Sequence, residues 1–199
     1  SQSLFLTWQG PDGFPEEVVP SSAFSAAALE SPGGSGAGAG GLAATWTTGR
    51  RATLNAVDWT KPVHTSKVDN LYWRLTRSPF FAGGPRNYFA ASFKGTLVVP
   101  ETGLWSFRLG SDSGARLIIG GKEVINDDAN HAFRFTGGAV HLDAGRHAIE
   151  VQFIELTGSQ GLVLTWTAPS SIFEEVVPAS AFATARTKIL RWKEVAAAE

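Results

Sequence analysis

Residues 93–127 read FKGTLVVPETGLWSFRLGSDSGARLIIGGKEVIND. Apolar and polar side chains alternate along short segments of this stretch, and turn-forming residues separate the segments. Successive side chains of a strand point to opposite faces, so one face would carry Trp105, Phe107 and Leu109. The tetrad 100–103, PETG, has the composition of a turn, and Gly120-Gly121 is a strong hairpin signal. The stretch therefore predicts antiparallel strands joined by tight turns.

The same pattern continues on both sides of this stretch. It predicts strands at Leu42–Thr48, Leu71–Thr76, Phe89–Val99, Leu104–Leu109, Ala115–Ile119, Glu123–Ile125, Ala132–Leu142, His147–Glu155 and Gly161–Thr167. Residues 50–70 are polar and are predicted to be irregular, whereas residues 184–198 are rich in good helix formers. Strands at regular spacing with turns between them are typical of a sandwich or barrel, whose core would include Trp46, Trp105 and Trp166.

An internal repeat sets the domain organisation. Residues 4–24 align with residues 162–182 without a gap, and 13 of the 21 positions are identical. Such a repeat predicts the tail of one module followed by a whole second module, as in a tandem array. The glycine-rich residues 31–41 between them have the composition of a flexible linker. A lone strand at residues 4–8 would leave its backbone unpaired, so we expect it to pair with another copy or with an edge of this module.

The bulk composition excludes two classes of partner. The 199 residues include 17 basic and 18 acidic side chains, which give a formal net charge of −1. Proteins that bind nucleic acid are usually strongly basic, so no nucleic-acid partner is predicted. No apolar run approaches the roughly 20 residues that a membrane span needs, so no membrane insertion is predicted.

A run of motifs, in order along the chain, resembles the PA14 domain. The matching motifs are Gly41-Leu42, Pro100–Phe107, Gly120–Lys122, Leu142–His147, Leu164–Trp166 and Val177–Ser180. This family is a β-sandwich insert shared by bacterial protective antigens, yeast flocculins and adhesins, and some glycosidases. The resemblance implies an all-β, PA14-type antiparallel sandwich, to which the composition of residues 184–198 adds a short C-terminal helix. The predicted boundaries are 1–24 for the tail of a preceding repeat, 25–41 for the linker, 42–182 for the sandwich and 183–199 for the helix or connector.

The resemblance also implies a calcium site. In flocculin-like members, two adjacent aspartates hold a Ca²⁺ ion that takes sugar hydroxyls. Here the first position is Asp112 but the second is Ser113, and losing a carboxylate lowers calcium affinity. Asp127 and Asp128, followed by Asn130, lie in the next loop and would restore the charge. The candidate metal ligands are Asp112, Ser113, Asp127 and Asp128, and the candidate glycan contacts are Asp112, Asp127, Asn130 and Trp59. The alternative is that Asp112 and Asp127 only fix turns through Asx-type hydrogen bonds.

No catalytic residue is predicted, because the four histidines stand in no catalytic or zinc-binding pattern. The resemblance and the repeat together indicate a non-enzymatic binding or adhesion module of a tandem PA14 array, with a glycan ligand, in an extracellular or cell-surface protein. A structural module that mediates protein–protein contacts or filament assembly without binding sugar is the alternative, and an accessory domain of a glycosidase is a weaker one. Head-to-tail self-assembly through the 4–8 strand is the corresponding prediction for partners, because heterologous interfaces need not close.

Overall fold

The computed structural model describes residues 40–183 and two short segments near the N-terminus, β1 (Thr7–Trp8) and β2 (Glu17–Val18). The chain divides into two compact units, residues 1–31 and 32–199. The predicted C-terminal helix and nearly all of the predicted linker lie outside the described residues.

Two antiparallel sheets form the described part of the second unit, residues 40–183. The five-stranded sheet has the order β10-β7-β12-β13, and β5 also pairs with β12. Its strands are β5 (Tyr72–Thr76), β7 (Gly103–Asp112), β10 (Arg134–Leu142), β12 (Gln160–Thr167) and β13 (Glu175–Val176). The seven-stranded sheet has the order β4-β3-β6-β11-β8-β9, and β14 also pairs with β6. Its strands are β3 (Leu42–Thr48), β4 (His64–Val68), β6 (Phe89–Val99), β8 (Ala115–Ile119), β9 (Lys122–Asp127), β11 (Gly145–Glu155) and β14 (Phe182–Ala183).

The predicted β-sandwich is confirmed, and so is the core assigned to it. Trp46 and Trp105 are each 1% exposed, and Trp166 is 6% exposed. The Trp46 ring makes an edge contact with Trp73 at 6.4 Å and another with Phe93 at 5.4 Å. Aromatic pairs in this geometry stabilise a core beyond the area that they bury. The helical content of the described residues is limited to two 3-10 turns, Leu54–Ala56 and Ala179–Ala181, and no described helix is long and apolar enough to span a membrane.

The prediction that residues 50–70 are irregular is wrong for β4. This strand carries only one buried apolar side chain, Val68, and so lacks a hydrophobic alternation that the sequence could reveal. It forms because β3 offers an open edge, along which Leu42 lies opposite Val68 and Trp46 opposite His64. The indole N–H of Trp46 also donates to the Ser66 hydroxyl at 3.1 Å. Tertiary pairing, rather than local propensity, decides this segment.

The N-terminal hairpin repeats the geometry of the last hairpin of the sandwich. In β1 and β2, Thr7 lies opposite Val18 and Trp8 opposite Glu17. In β12 and β13, Thr165 lies opposite Val176 and Trp166 opposite Glu175. Each of the four positions is shifted by the same 158 residues that relate the two repeats (165 − 7 = 158). The two copies therefore share register as well as sequence.

The chain enters and leaves the sandwich at one place. Gly40 forms a bridge with Ala183, and the backbone N–H of Gly41 donates to the Phe182 carbonyl at 3.1 Å. A Cβ atom at Gly40 would lie 2.1 Å from that carbonyl oxygen, so the close approach needs a glycine. These two glycines, which end the predicted linker, are thus part of the sheet.

Candidate functional site

Five loops meet at the end of the sandwich where β7 and β11 finish. We call this surface the rim; it comprises residues 49–51, 86–88, 111–114, 127–133 and 156–159. The turn at 111–114 crosses from one sheet to the other, since β7 ends at Asp112 and β8 begins at Ala115. The Asp112–Ser113 peptide bond is cis, and Ser113 is buried. Glu155, the last residue of β11, lies opposite Phe89 at the same end.

Asp112 is positioned by the loop that follows β9. Its carboxylate accepts a hydrogen bond from the backbone N–H of Phe133 and lies near His131. Burial raises the pKa of Asp112, and these two neighbours oppose that rise. The Phe133 ring lies over the outer face of the five-stranded sheet, where a Cβ atom at Gly161 or at Gly110 would come within 2.9 Å of it. The two glycines thus leave room for the aromatic ring that anchors the loop beside Asp112.

Glu155 is a buried carboxylate without a protein partner. Its side chain is 0% exposed, and neither of its carboxylate oxygens has a hydrogen-bond partner. Burial, and then the negative charge of Asp112, raise the pKa of Glu155 to about 8. Burying a carboxyl group without a hydrogen bond is unfavourable, so the position calls for a ligand or for protonation. Two further buried oxygens, Ser111 Oγ and Gln160 Oε1, also lack partners; with the two Glu155 oxygens they make four of the five such side-chain atoms in residues 40–183.

This donor set fits the calcium ion that the family resemblance implies. Ca²⁺ takes six to eight hard oxygen ligands, and the four unpartnered oxygens at this end come from carboxylate, hydroxyl and amide groups. A divalent cation would also neutralise the repulsion between Asp112 and Glu155. The described residues contain no group of three or more His, Cys, Asp or Glu suited to a metal. Asp112 and Glu155 would hold the ion, and neutral oxygens would complete its coordination.

The other two predicted carboxylate ligands have protein partners. Asp127 accepts hydrogen bonds from both Arg134 Nε, at 3.0 Å, and Arg134 Nη2, and another from Thr136 Oγ1 at 2.6 Å. His131 Nε2 lies 3.2 Å from the same carboxylate. Asp128 accepts from the backbone N–H of Leu54 at 2.7 Å. Both residues therefore tie loops together, and a calcium role for either stays a prediction.

The Arg134 contact makes a testable contribution to acid stability. The hydrogen bond from Arg134, the largest influence, and that from Thr136 hold the pKa of Asp127 at about 2, below its ordinary 3.8. A depressed folded-state pKa stabilises the protein above about pH 4, and this contribution is lost as the pH falls towards 2. We expect Arg134→Gln to raise the pH at which half of the protein is unfolded by acid. Tryptophan fluorescence measured during an acid titration gives this midpoint.

A matched control for this acid-unfolding test is Arg108→Gln, which breaks an exposed ion pair with Glu174 and should move the midpoint less. Equal shifts in the two variants would contradict the role given to Asp127.

The remaining predicted contacts are placed unevenly. Asn130 is exposed in the loop that precedes Phe133. Trp59 is half-buried and packs against a small cluster that includes Leu54 and Ile154. The structure thus brings Asp112 together with the 127–133 loop and Glu155, whereas Trp59 packs on a separate satellite of the core. Its proposed contact with a glycan is untested.

Glu155 was missed from the sequence, although a signal was present. Ile149, Val151 and Phe153 occupy alternate positions of β11 and are buried. The next position in the same phase is Glu155, so a carboxylate stands where the pattern places an apolar core residue. Carboxylates are almost never fully buried unless they are paired. That conflict marks the residue as a candidate ligand.

Residues 39–179 match the sequence profile of the PA14 domain, which is more than half of the chain. The chain belongs to the PA14 family. No curated protein sequence matches it significantly. Among solved structures, the PA14 domain of the MpAFP antifreeze protein has a TM-score of 0.64 and 17% identity, with coverage of 72% of this chain and 90% of that one.

Two adhesin domains also share the PA14 fold of this chain. The PA14 sugar-binding domain of an RTX adhesin has a TM-score of 0.63 and 15% identity, covering 74% and 99% of the two chains. The epithelial adhesin 9 A domain of Candida glabrata, solved with Galβ1-3GlcNAc, has a TM-score of 0.53 and 11% identity, covering 76% and 93%. At these identities the likeness establishes the PA14 sandwich and nothing finer.

Proposed function

We propose that this PA14 domain is a non-enzymatic glycan-binding or adhesion module of a tandem array in a cell-surface or extracellular protein. The observation that carries the proposal is the unpartnered carboxylate of Glu155 beside Asp112 at the rim. Two structural neighbours support it, because one is described as a sugar-binding domain and the other was solved in complex with Galβ1-3GlcNAc. A calcium ion held by the two carboxylates would offer its open coordination positions to sugar hydroxyls.

The residues around the pair serve to orient it. Asp112 is fixed by the backbone of Phe133, whose loop is held in turn by the Asp127 contacts to Arg134 and Thr136. Glu155 is enclosed in the sandwich, so its oxygens are presented by rigid strands rather than by a mobile loop. A preorganised donor set binds a ligand more tightly, because less conformational freedom is lost on binding.

A glycosidase would use such a carboxylate pair differently. A general acid must come within hydrogen-bonding distance of the glycosidic oxygen that it protonates. Glu155 is 0% exposed and so cannot reach a sugar on the surface. This burial supports binding over hydrolysis at the carboxylate pair itself.

Binding to a glycan array in millimolar Ca²⁺ and in EDTA tests the proposed function. We expect binding in Ca²⁺, loss of binding in EDTA, and loss in Asp112→Asn. Asp143→Asn removes an exposed carboxylate from the turn between β10 and β11, at the opposite end of the sandwich, and should bind as the wild type does. Binding that survives EDTA would remove the cation from the proposal. If the protein binds no glycan on the glycan array, the glycan-binding function is rejected.

A structural role in an array is the second candidate, and the shared hairpin register favours it. Because β1 and β2 pair as β12 and β13 do, these two short strands have the pairing expected for the last hairpin of a preceding PA14 module. If such modules assemble head to tail, sedimentation velocity should show species that grow with concentration. A chain that stays monomeric at all concentrations would reject self-assembly.

A further inference from the structure

Three loops of the rim form a built surface beside the carboxylate pair. The backbone N–H of Tyr88 donates to the Leu156 carbonyl at 3.1 Å, and the Tyr88 carbonyl accepts from Gly49 N–H at 2.7 Å. The Asn87 side chain accepts from the backbone N–H of Gly158 at 3.0 Å. These bonds join residues 49–51, 86–88 and 156–159 into one surface that continues directly from Glu155.

Tyr88 is held in an unusual conformation on this surface. Its φ of 53° is in the left-handed region, where few residues other than glycine are found. Two backbone hydrogen bonds fix this geometry, and the side chain remains 37% exposed. Unfavourable backbone conformations that the surroundings enforce cluster at ligand-binding sites.

Arg50 lies against the Tyr88 ring, with its guanidinium carbon 5.7 Å from the ring centroid. Contact with an aromatic ring orients a guanidinium group, while the N–H donors at its edge stay available for a bidentate acceptor. Arg50 is exposed, and Arg51 and Arg86 lie on the same loops. Within residues 40–183 none of the three forms an ion pair with a carboxylate. The surface therefore carries uncompensated positive charge.

The order of the strands gives the distance from this charge to the carboxylate pair. β3, β6, β11 and β8 are consecutive in the seven-stranded sheet, and they lead to Arg50, Tyr88, Leu156 and the Asp112 turn respectively. At about 4.8 Å for each strand, the backbone of Tyr88 lies about 10 Å and that of Arg50 about 15 Å from the start of β8. This is the reach of a short oligosaccharide whose first sugar is bound at Asp112.

We infer that Arg50, oriented by Tyr88, forms a second subsite that binds an anionic group, a sulfate ester or a sugar carboxylate, of the same oligosaccharide. The inference rests on the proposed glycan-binding function and names the class of glycan that this chain selects. Sulfate and carboxylate both accept two parallel hydrogen bonds from a guanidinium group. A neutral oligosaccharide would occupy only the subsite at Asp112.

The test uses the whole chain and an array that carries neutral oligosaccharides, including Galβ1-3GlcNAc, with their sulfated and sialylated derivatives. We expect a derivative of one acidic kind to bind at least about tenfold more tightly than its neutral parent, as a charged, bidentate contact allows. Arg50→Gln should reduce its affinity to that of the neutral parent and leave binding of the parent unchanged. The gain should also shrink at high salt, because exposed charges are screened.

Lys122→Gln is the matched control, since it removes one positive charge from the exposed β8–β9 turn at the far end of the sandwich. An equal loss in Lys122→Gln and Arg50→Gln would mean attraction by net charge alone and would overturn the subsite. If the acidic derivatives bind no better than their neutral parents, the subsite is overturned too. The proposed glycan-binding function would then still be supported by binding of the neutral oligosaccharides. If no glycan binds, both proposals fail.

Discussion

We expect the chain to unfold about 5–10 °C higher in millimolar Ca²⁺ than in EDTA, and Glu155→Gln to remove most of the difference. A ligand at 100 times its dissociation constant stabilises a protein by about 2.7 kcal/mol. For a domain of this size each kcal/mol shifts the thermal midpoint by about 2–4 °C. Because Glu155 supplies two unpartnered buried oxygens, its amide variant would lose a charged ligand without losing the shape of the side chain. Differential scanning fluorimetry of the wild type and the variant measures both effects.

In EDTA, where no calcium is bound, the same variant should be more stable than the wild type at high pH. The folded-state pKa of Glu155, about 8, lies above its ordinary 4.5, so the folded protein holds a proton that the unfolded chain releases between these values. The stability from this group is complete below about pH 4.5 and falls as the pH rises towards 8. We therefore expect Glu155→Gln to have a higher thermal midpoint than the wild type at pH 8 in EDTA. Between pH 5 and 8 the midpoint of the variant should change less than that of the wild type.

Asp143→Asn serves as the control for both halves of this thermal test and should melt as the wild type does under each condition. A calcium-induced shift that persists in Glu155→Gln would show that Glu155 is not a ligand. A wild type that melts no lower at pH 8 than at pH 5 in EDTA would show that the buried carboxylate has found a partner.

Gly138→Ala should destabilise the sandwich by about 3 kcal/mol, which is at the upper end of the range for overpacked positions. A loss of this size corresponds to a fall of roughly 6–12 °C in the thermal midpoint. A Cβ atom at Gly138 would lie 2.2 Å from the Val124 carbonyl oxygen, so the backbones of β9 and β10 would have to separate. These strands belong to different sheets, and the Asp127–Thr136 hydrogen bond joins them nearby. Chemical denaturation gives the change in the free energy of unfolding.

Gly137→Ala provides a matched control one residue away on the same strand. A Cβ atom there would meet its nearest neighbour, the Phe107 carbonyl oxygen, at 3.8 Å, which is an ordinary contact. The control should change stability by less than about 1 kcal/mol, since both variants make the same glycine-to-alanine change to the unfolded chain. Similar losses in the two variants would contradict the close approach of the sheets at Gly138.

Much of the sandwich could be predicted because its strands alternate strongly. β3, β6 and β8 have the predicted boundaries, and the predicted core tryptophans are buried. β4 could not be predicted in this way, because its side chains are polar and its existence depends on the open edge of β3. Alternation reports which face of a strand is buried, but it says nothing about an exposed edge strand.

The site could be predicted only in part. Asp112 was found because it falls within a motif, and the sequence placed it at a turn. Asp127 and Asp128 were selected because they are acidic and near in sequence, but their partners, Arg134 and Leu54, depend on how separate segments fold together. The pairing of Glu155 with Asp112 arises between two sheets, so neither spacing nor composition along the chain reveals it.

The bridge between Gly40 and Ala183 sets how such a module is tethered. Both residues lie at the far end of the sandwich from the rim, since β3 runs from Leu42 towards the 49–51 loop and β14 pairs with the distal half of β6. The rim, which is the proposed binding face, therefore lies at the end of the module opposite the place where the polypeptide enters and leaves it. In the proposed tandem array, each copy would carry its rim at the end opposite its two chain ends. If several copies bound glycans on one surface, their weak individual affinities would combine into avidity, which depends on the length of the linkers between modules.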